Sequence, residues 1–173
     1  MNNQSHSPQI SVLMVCLGNI CRSPTAEAVL RAQVNAAGLA DCITVDSAGT
    51  SDWHTGEAPD IRSIQAATDR LYDLSTQRSR QVSSLDFEEF DYILAMDRQN
   101  LRDLHEHCPV EYQYKIELLL NYGNTGWTDV PDPFNSGKES FELVLDLVEV
   151  ACRAFLAHLV EKHNLPSPQQ QHA

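Results

Sequence analysis

The chain has 173 residues, 42% of them hydrophobic, which is enough for one ordinary core and too few for two, so a single globular domain is expected. Its 24 acidic residues against 12 basic ones leave a formal charge of −12, which repels phosphate backbones and anionic bilayers. That balance argues against a general nucleic-acid or membrane-surface binder, and any anion site has to be local.

Residues 1–9 (MNNQSHSPQ) read as a flexible polar leader without the basic and apolar regions of an export signal, and no apolar run is long enough to span a bilayer. The five cysteines, Cys16, Cys21, Cys42, Cys108 and Cys152, are odd in number. They are expected as thiols in a reducing, cytoplasmic compartment, not as a disulfide framework.

Residues 10–15 (ISVLMV) form a short apolar run that suits a buried parallel strand. After a loop over 16–22, Ser23 can cap a helix and Pro24 fits its first position, with Ala26, Val29, Leu30 and Val34 on one face until Gly38. A second strand is expected at 43–45, an amphipathic helix at 59–72 and a third strand at 92–96, with Asp97 capping the helix that follows. Residues 115–119 are a candidate fourth strand, 123–138 a long loop, and the stripe Phe141, Val144, Leu145, Val148, Cys152, Phe155 and Leu159 a final helix.

The alternation predicts an α/β, doubly wound, four-stranded and mostly parallel sheet with helices on both faces. The domain is drawn over 10–163, and 164–173, rich in Pro and Gln, reads as a disordered tail.

Cys16-Leu17-Gly18-Asn19-Ile20-Cys21-Arg22-Ser23-Pro24 sets an arginine six residues after a cysteine, between a strand and a helix start. Such a loop can turn several backbone N–H groups inward, and the helix dipole adds positive potential at the same point. Donors there favour a thiolate at Cys16, and the Arg22 fork can grip two phosphate oxygens. Asp132, between Pro131 and Pro133 in the long loop, is a candidate proton donor.

Residues 15–24 resemble the V-C-x-G-N-x-C-R-S-P signature of the low-molecular-weight protein tyrosine phosphatase family. Asp46-Ser47-Ala48-Gly49-Thr50, Trp53, Met96-Asp97 and Pro131-Asp132-Pro133 extend the resemblance over about residues 10 to 160. The resemblance implies a monomeric protein tyrosine phosphatase acting on phosphotyrosine-containing proteins or peptides, with no cofactor and no metal. Cys16 would form a phosphocysteine and Asp132 would act as general acid and then base, with Arg22 holding the phosphate beside Leu17, Gly18, Ile20 and Cys21. Ser23 would ease the departure of the sulfur, and Asn19, supported by Ser47, would hold the loop open. Trp53 and Phe134 look like the family's aromatic walls, and Cys21 like a redox partner able to shield Cys16 as a disulfide.

The chain departs from many members at Phe134 and Asn135, where two tyrosines are common, and at Gln77, where a histidine often braces the cradle. An arsenate reductase on the same scaffold needs resolving cysteines in mid-chain, and residues 73–95 have none. A protein-arginine phosphatase commonly carries threonine where Ile20 stands. A catalytically dead phosphopeptide-binding module is the reading from another class, and Cys16, Arg22 and Asp132 are all retained. His105-Glu106-His107 imitates a metal cluster, but positions two apart on a helix face different ways.

Overall fold

The computed structural model describes residues 9–166. Four parallel strands lie in the order β2-β1-β3-β4: β1 Ile10–Cys16, β2 Ile43–Gly49, β3 Tyr92–Ala95 and β4 Ile116–Leu118. The apolar runs without polar alternation follow from burial on both faces. Val12 and Met14 point into one core with Phe155 and Leu145, while Leu13 and Val15 point into the other with Phe87 and Leu104. Helices α1 Arg22–Ala36, α2 Ile61–Asp69 and α5 Lys138–Lys162 cover the first face; α3 Ser84–Glu89 and α4 Arg98–His107 cover the second.

The connection from β1 turns toward β2 and the later chain returns past β1 to β3, so the strand order reverses beside the C-terminal end of β1. In open parallel sheets that reversal opens a crevice for ligands.

Several expected boundaries move for identifiable reasons. β2 runs to Gly49, because Cys16 pairs in register with Gly49 at the end of β1. α2 starts at Ile61, after Asp60 accepts the Arg62 N–H as its cap, so Pro59 stands outside it. Ser23 is not a cap: α1 begins two residues earlier than expected, at Arg22 with Cys21 at the cap position, and the Ser23 hydroxyl turns back to the Cys16 sulfur.

α3 has no counterpart in the sequence reading, although Ser83 and Asp86 form a capping box that announces it. Asp97 caps α4 as expected. Leu165 is buried in the first core and its N–H donates to the Val160 carbonyl, so packing passes the drawn boundary at 163. Residues 1–8 of the leader and 167–173 of the tail fall outside the described residues. No helix among the described residues is long and apolar enough to cross a membrane.

Candidate active site

β1 delivers Cys16 to the switch point, and residues 17–21 wrap over it before α1 begins. Cys16 is 2% exposed, and its sulfur lies 3.0 Å from Ser23 Oγ and accepts the Asn19 N–H at 3.3 Å. The fold of the loop depends on Asn19 at φ 55°, a left-handed conformation that asparagine tolerates better than most side chains.

Every polar atom of the buried Asn19 amide is engaged. Its Nδ2 donates to Ser23 Oγ at 2.8 Å and to Ser47 Oγ at 3.0 Å, and its Oδ1 accepts the Arg80 N–H at 3.0 Å. The Ser47 hydroxyl in turn donates a hydrogen bond to Glu27 Oε1 at 2.9 Å. Asn19 therefore occupies Ser23 as a donor, which leaves the Ser23 proton for the sulfur or for the Ala48 carbonyl 3.3 Å away. Gln77 joins this network, with Oε1 3.5 Å from Ser47 Oγ and Nε2 donating to the Pro24 carbonyl.

Arg22 is 3% exposed. Its Nη1 donates to Asp97 Oδ2 at 2.6 Å and to the Val130 carbonyl at 3.0 Å, and its Nη2 lies 3.7 Å from Asp132 Oδ2. Burial opposes the charge, but Cys16, Asp97 and Asp132 outweigh it and hold the guanidinium above its ordinary range. Burial also pushes the Cys21 thiol up to about 12, against a hydrogen bond from Ser63 and with Asp60, Cys16 and Asp132 adding to the rise. All five cysteines are free thiols.

A small cleft of about 100 Å³ opens over this thiol. Leu17, Gly18, Ile20, Cys21 and Arg22 form its floor with Cys16, and Asp132 reaches its rim. Trp53, 70% exposed, and Phe134, 41% exposed, stand as its walls. Asn19, Ser23 and Ser47 lie beneath the floor and brace it. The sequence-predicted residues are thus brought to one place, floor, wall or support.

Sequence reasoning missed four participants. His54 lines the cleft with its ring 6.3 Å from that of Phe134, centroid to centroid, and its Nδ1 2.8 Å from Glu57 Oε2. Its position next to Trp53 in a polar loop was the available signal. Asp97 clamps Arg22 besides capping α4. Arg80 closes the Asn19 amide with its N–H and pairs its guanidinium with Asp86 and Asp46. Arg62 ties α2 to the loop that carries Asp132, and no local pattern announces it.

A doubly wound sheet with a loop wrapped over a buried thiol at its switch point and a fixed guanidinium beside it defines the class, an α/β protein with a cysteine-centred strand-to-helix loop. The model of the family described as low molecular weight phosphotyrosine protein phosphatase matches residues 11–165. A low molecular weight protein-tyrosine-phosphatase of Streptomyces coelicolor is 42% identical over 155 residues, 87% of this chain and 94% of that one. The human low molecular weight phosphotyrosine protein phosphatase is 43% identical over 148 residues, 84% of this chain and 93% of that one. The crystal structure of a protein tyrosine phosphatase from Entamoeba histolytica, with Hepes in its active site, superposes with a TM-score of 0.86 at 40% identity, covering 91% of this chain and all of that one. The chain belongs to the low molecular weight phosphotyrosine protein phosphatase family.

Proposed function

We propose that this chain hydrolyses phosphotyrosine in proteins or peptides through a phosphocysteine on Cys16. The observation that supports this reading is the buried Cys16 sulfur, held by Ser23 Oγ and the Asn19 N–H on the floor of a cleft whose far side carries Asp132 next to Arg22. A phosphate in the loop would meet its backbone N–H groups and the Nη2 edge of Arg22, which lies 3.7 Å from Asp132 Oδ2 and can neutralise charge on its equatorial oxygens.

In the first step the Cys16 thiolate forms an S–P bond as the P–O bond to tyrosine breaks. The Asp132 carboxyl delivers its proton to the departing phenolic oxygen. In the second step water attacks phosphorus, Asp132 takes a water proton, and the S–P bond breaks with its electrons returning to sulfur. Ser23 donates its hydrogen bond to the thiolate so released, and tyrosine and inorganic phosphate are the products. This chemistry needs no metal or cofactor.

Trp53 and Phe134 fit a flat aryl group and leave serine phosphates without a wall to stack on. Cys21, on the same floor, is the partner for a protective disulfide with Cys16. The protein would work as a monomer in the cytoplasm, where its thiols stay reduced.

The test compares phosphotyrosine, phosphoserine and phosphoarginine peptides. Turnover of phosphotyrosine alone is expected, none in Cys16→Ser, and a loss of about a hundredfold or more in Asp132→Asn. Undiminished turnover in Cys16→Ser refutes the mechanism.

A further inference from the structure

The loop that carries Asp132 is anchored at Val130, buried in the core with its N–H donating to the Met96 carbonyl at 2.8 Å, yet the exposed Asp132 beyond it has to be held over the cleft. Residues 122–137 contain no helix or strand, and Asp132 and Phe134 are both exposed. Arg98 of α4 holds the loop at Asp129 and Arg22 holds it at the Val130 carbonyl, and beyond them a side chain of α2 reaches the 134–136 segment at two carbonyls. Arg62, in the first turn of α2, donates from Nη2 to the Phe134 carbonyl at 2.7 Å and from Nη1 to the Ser136 carbonyl at 3.3 Å. Its guanidinium carbon sits 4.7 Å from the centroid of Phe141 at the start of α5 and 5.7 Å from that of Phe134.

The other edge of the guanidinium is fixed on the α2 cap, with Nε 3.0 Å from Asp60 Oδ1 and Nη2 2.8 Å from Asp60 Oδ2. Asp60 is in turn locked to the phosphate-binding loop, since its N–H donates to the Ile20 carbonyl at 2.8 Å. The Phe134 N–H then donates to Asp132 Oδ1 at 3.2 Å. A continuous chain of contacts therefore runs from the cradle through Ile20, Asp60, Arg62 and Phe134 to the Asp132 carboxyl. Arg62 itself does not line the cleft.

We infer that Arg62 is a positioning residue for proton transfer: it fixes the 132–136 segment to the loop that holds the phosphate, and so sets the distance between Asp132 and the leaving oxygen. The inference rests on the proposed role of Asp132. A planar fork is needed, because one group has to reach two carbonyls and a carboxylate together while standing over two rings. The ammonium of a lysine supplies the charge but cannot cover those directions together.

Leaving-group dependence separates this role from general support of the fold. With phenyl phosphate the departing oxygen is basic and needs a proton, whereas p-nitrophenolate leaves nearly unaided. Arg62→Ala is expected to lower kcat/KM for phenyl phosphate by about tenfold and for p-nitrophenyl phosphate by about twofold or less. Inhibition by inorganic phosphate should be unchanged, since the cradle is intact. In the Asp132→Asn background Arg62→Ala should cost nothing further, because the group it positions is gone.

Equal losses on both substrates, a weakened phosphate inhibition, an unchanged rate, or the same loss in the Asp132→Asn background would each overturn the inference. Arg62→Lys, carried through the same cycle, decides the matter if the alanine variant does not accumulate. A loss of about threefold on phenyl phosphate that vanishes in Asp132→Asn is expected, and full activity or a persistent loss overturns it. Failure of the proposed function itself looks different: the unaltered protein would not hydrolyse either ester, or Cys16→Ser would.

Discussion

Cys16 and Gly49 sit opposite each other in the β1–β2 register, and the backbone of the loop after Cys16 lies directly against Gly49. A Cβ added to Gly49 would come within 2.7 Å of the Leu17 carbonyl oxygen and 3.2 Å of the Asn19 nitrogen, both main-chain atoms that no rotamer change can move. Next to it, the Thr50 N–H donates to the Cys16 carbonyl and the Ser51 N–H to the Leu17 carbonyl, so the loop cannot drift away without losing both bonds. The glycine is there for close approach, not for its dihedral angles.

Gly49→Ala is therefore expected to push the loop off its bracing. The strain should cost about 1–3 kcal/mol of stability, and the displaced cradle should bind inorganic phosphate about tenfold more weakly. Thermal unfolding and phosphate inhibition measure the two effects, and an alanine variant equal to the unaltered protein in both would contradict the contact.

The Cys21 thiol, raised to about 12 by burial first and by neighbouring negative groups, stays protonated near neutrality. Since the thiolate is the species that alkylates, iodoacetamide at pH 7 should leave Cys21 intact, although it lies on the cleft floor five residues from the proposed nucleophile Cys16. Peptide mass spectrometry after brief labelling reads the outcome, and Cys21 labelled in that time would count against the assignment.

Glu27 gives the fold a pH dependence of defined sign. Burial raises its folded-state value above the ordinary glutamate range, with Arg31, 2.8 Å away, and the Ser47 hydrogen bond opposing the rise. A raised carboxyl stabilises the fold while protonated, below the unfolded value, and that contribution fades as pH rises through the folded value. Glu27→Gln keeps an acceptor for Ser47 and cannot ionise. The melting temperature of the unaltered protein minus that of Glu27→Gln should therefore fall as pH rises from about 4 to 7. A difference that grows over this range would reverse the sign and reject the reading.

The strand, the loop and α1 were legible because they are contiguous: an apolar run, an unusual loop and a helix start follow one another within thirty residues, and each has a local signature. Much of the site's bracing is of another kind. Asp97 shows as a helix cap in the sequence, but its grip on Arg22 spans 75 positions and leaves no periodic trace. The same holds for Arg80 on Asn19, 61 positions apart, and for Arg62 on Phe134, 72 apart. Ser23 shows the converse error, since its residue type is right for a cap while the register of α1 puts it against the thiol. The six residues of α3 are too few for a hydrophobic period, so only the Ser83–Asp86 box could have marked them.

Arg22 carries a consequence for recognition. A surface arginine surrenders about 2 kcal/mol of side-chain freedom when an anion immobilises it. Here Asp97 and the Val130 carbonyl have already clamped one edge of the guanidinium inside the folded molecule, so that freedom is gone before any ligand arrives. The cost of ordering the side chain therefore falls on folding and not on capture of an incoming dianion, much as a hinge already locked needs no further force to hold its angle.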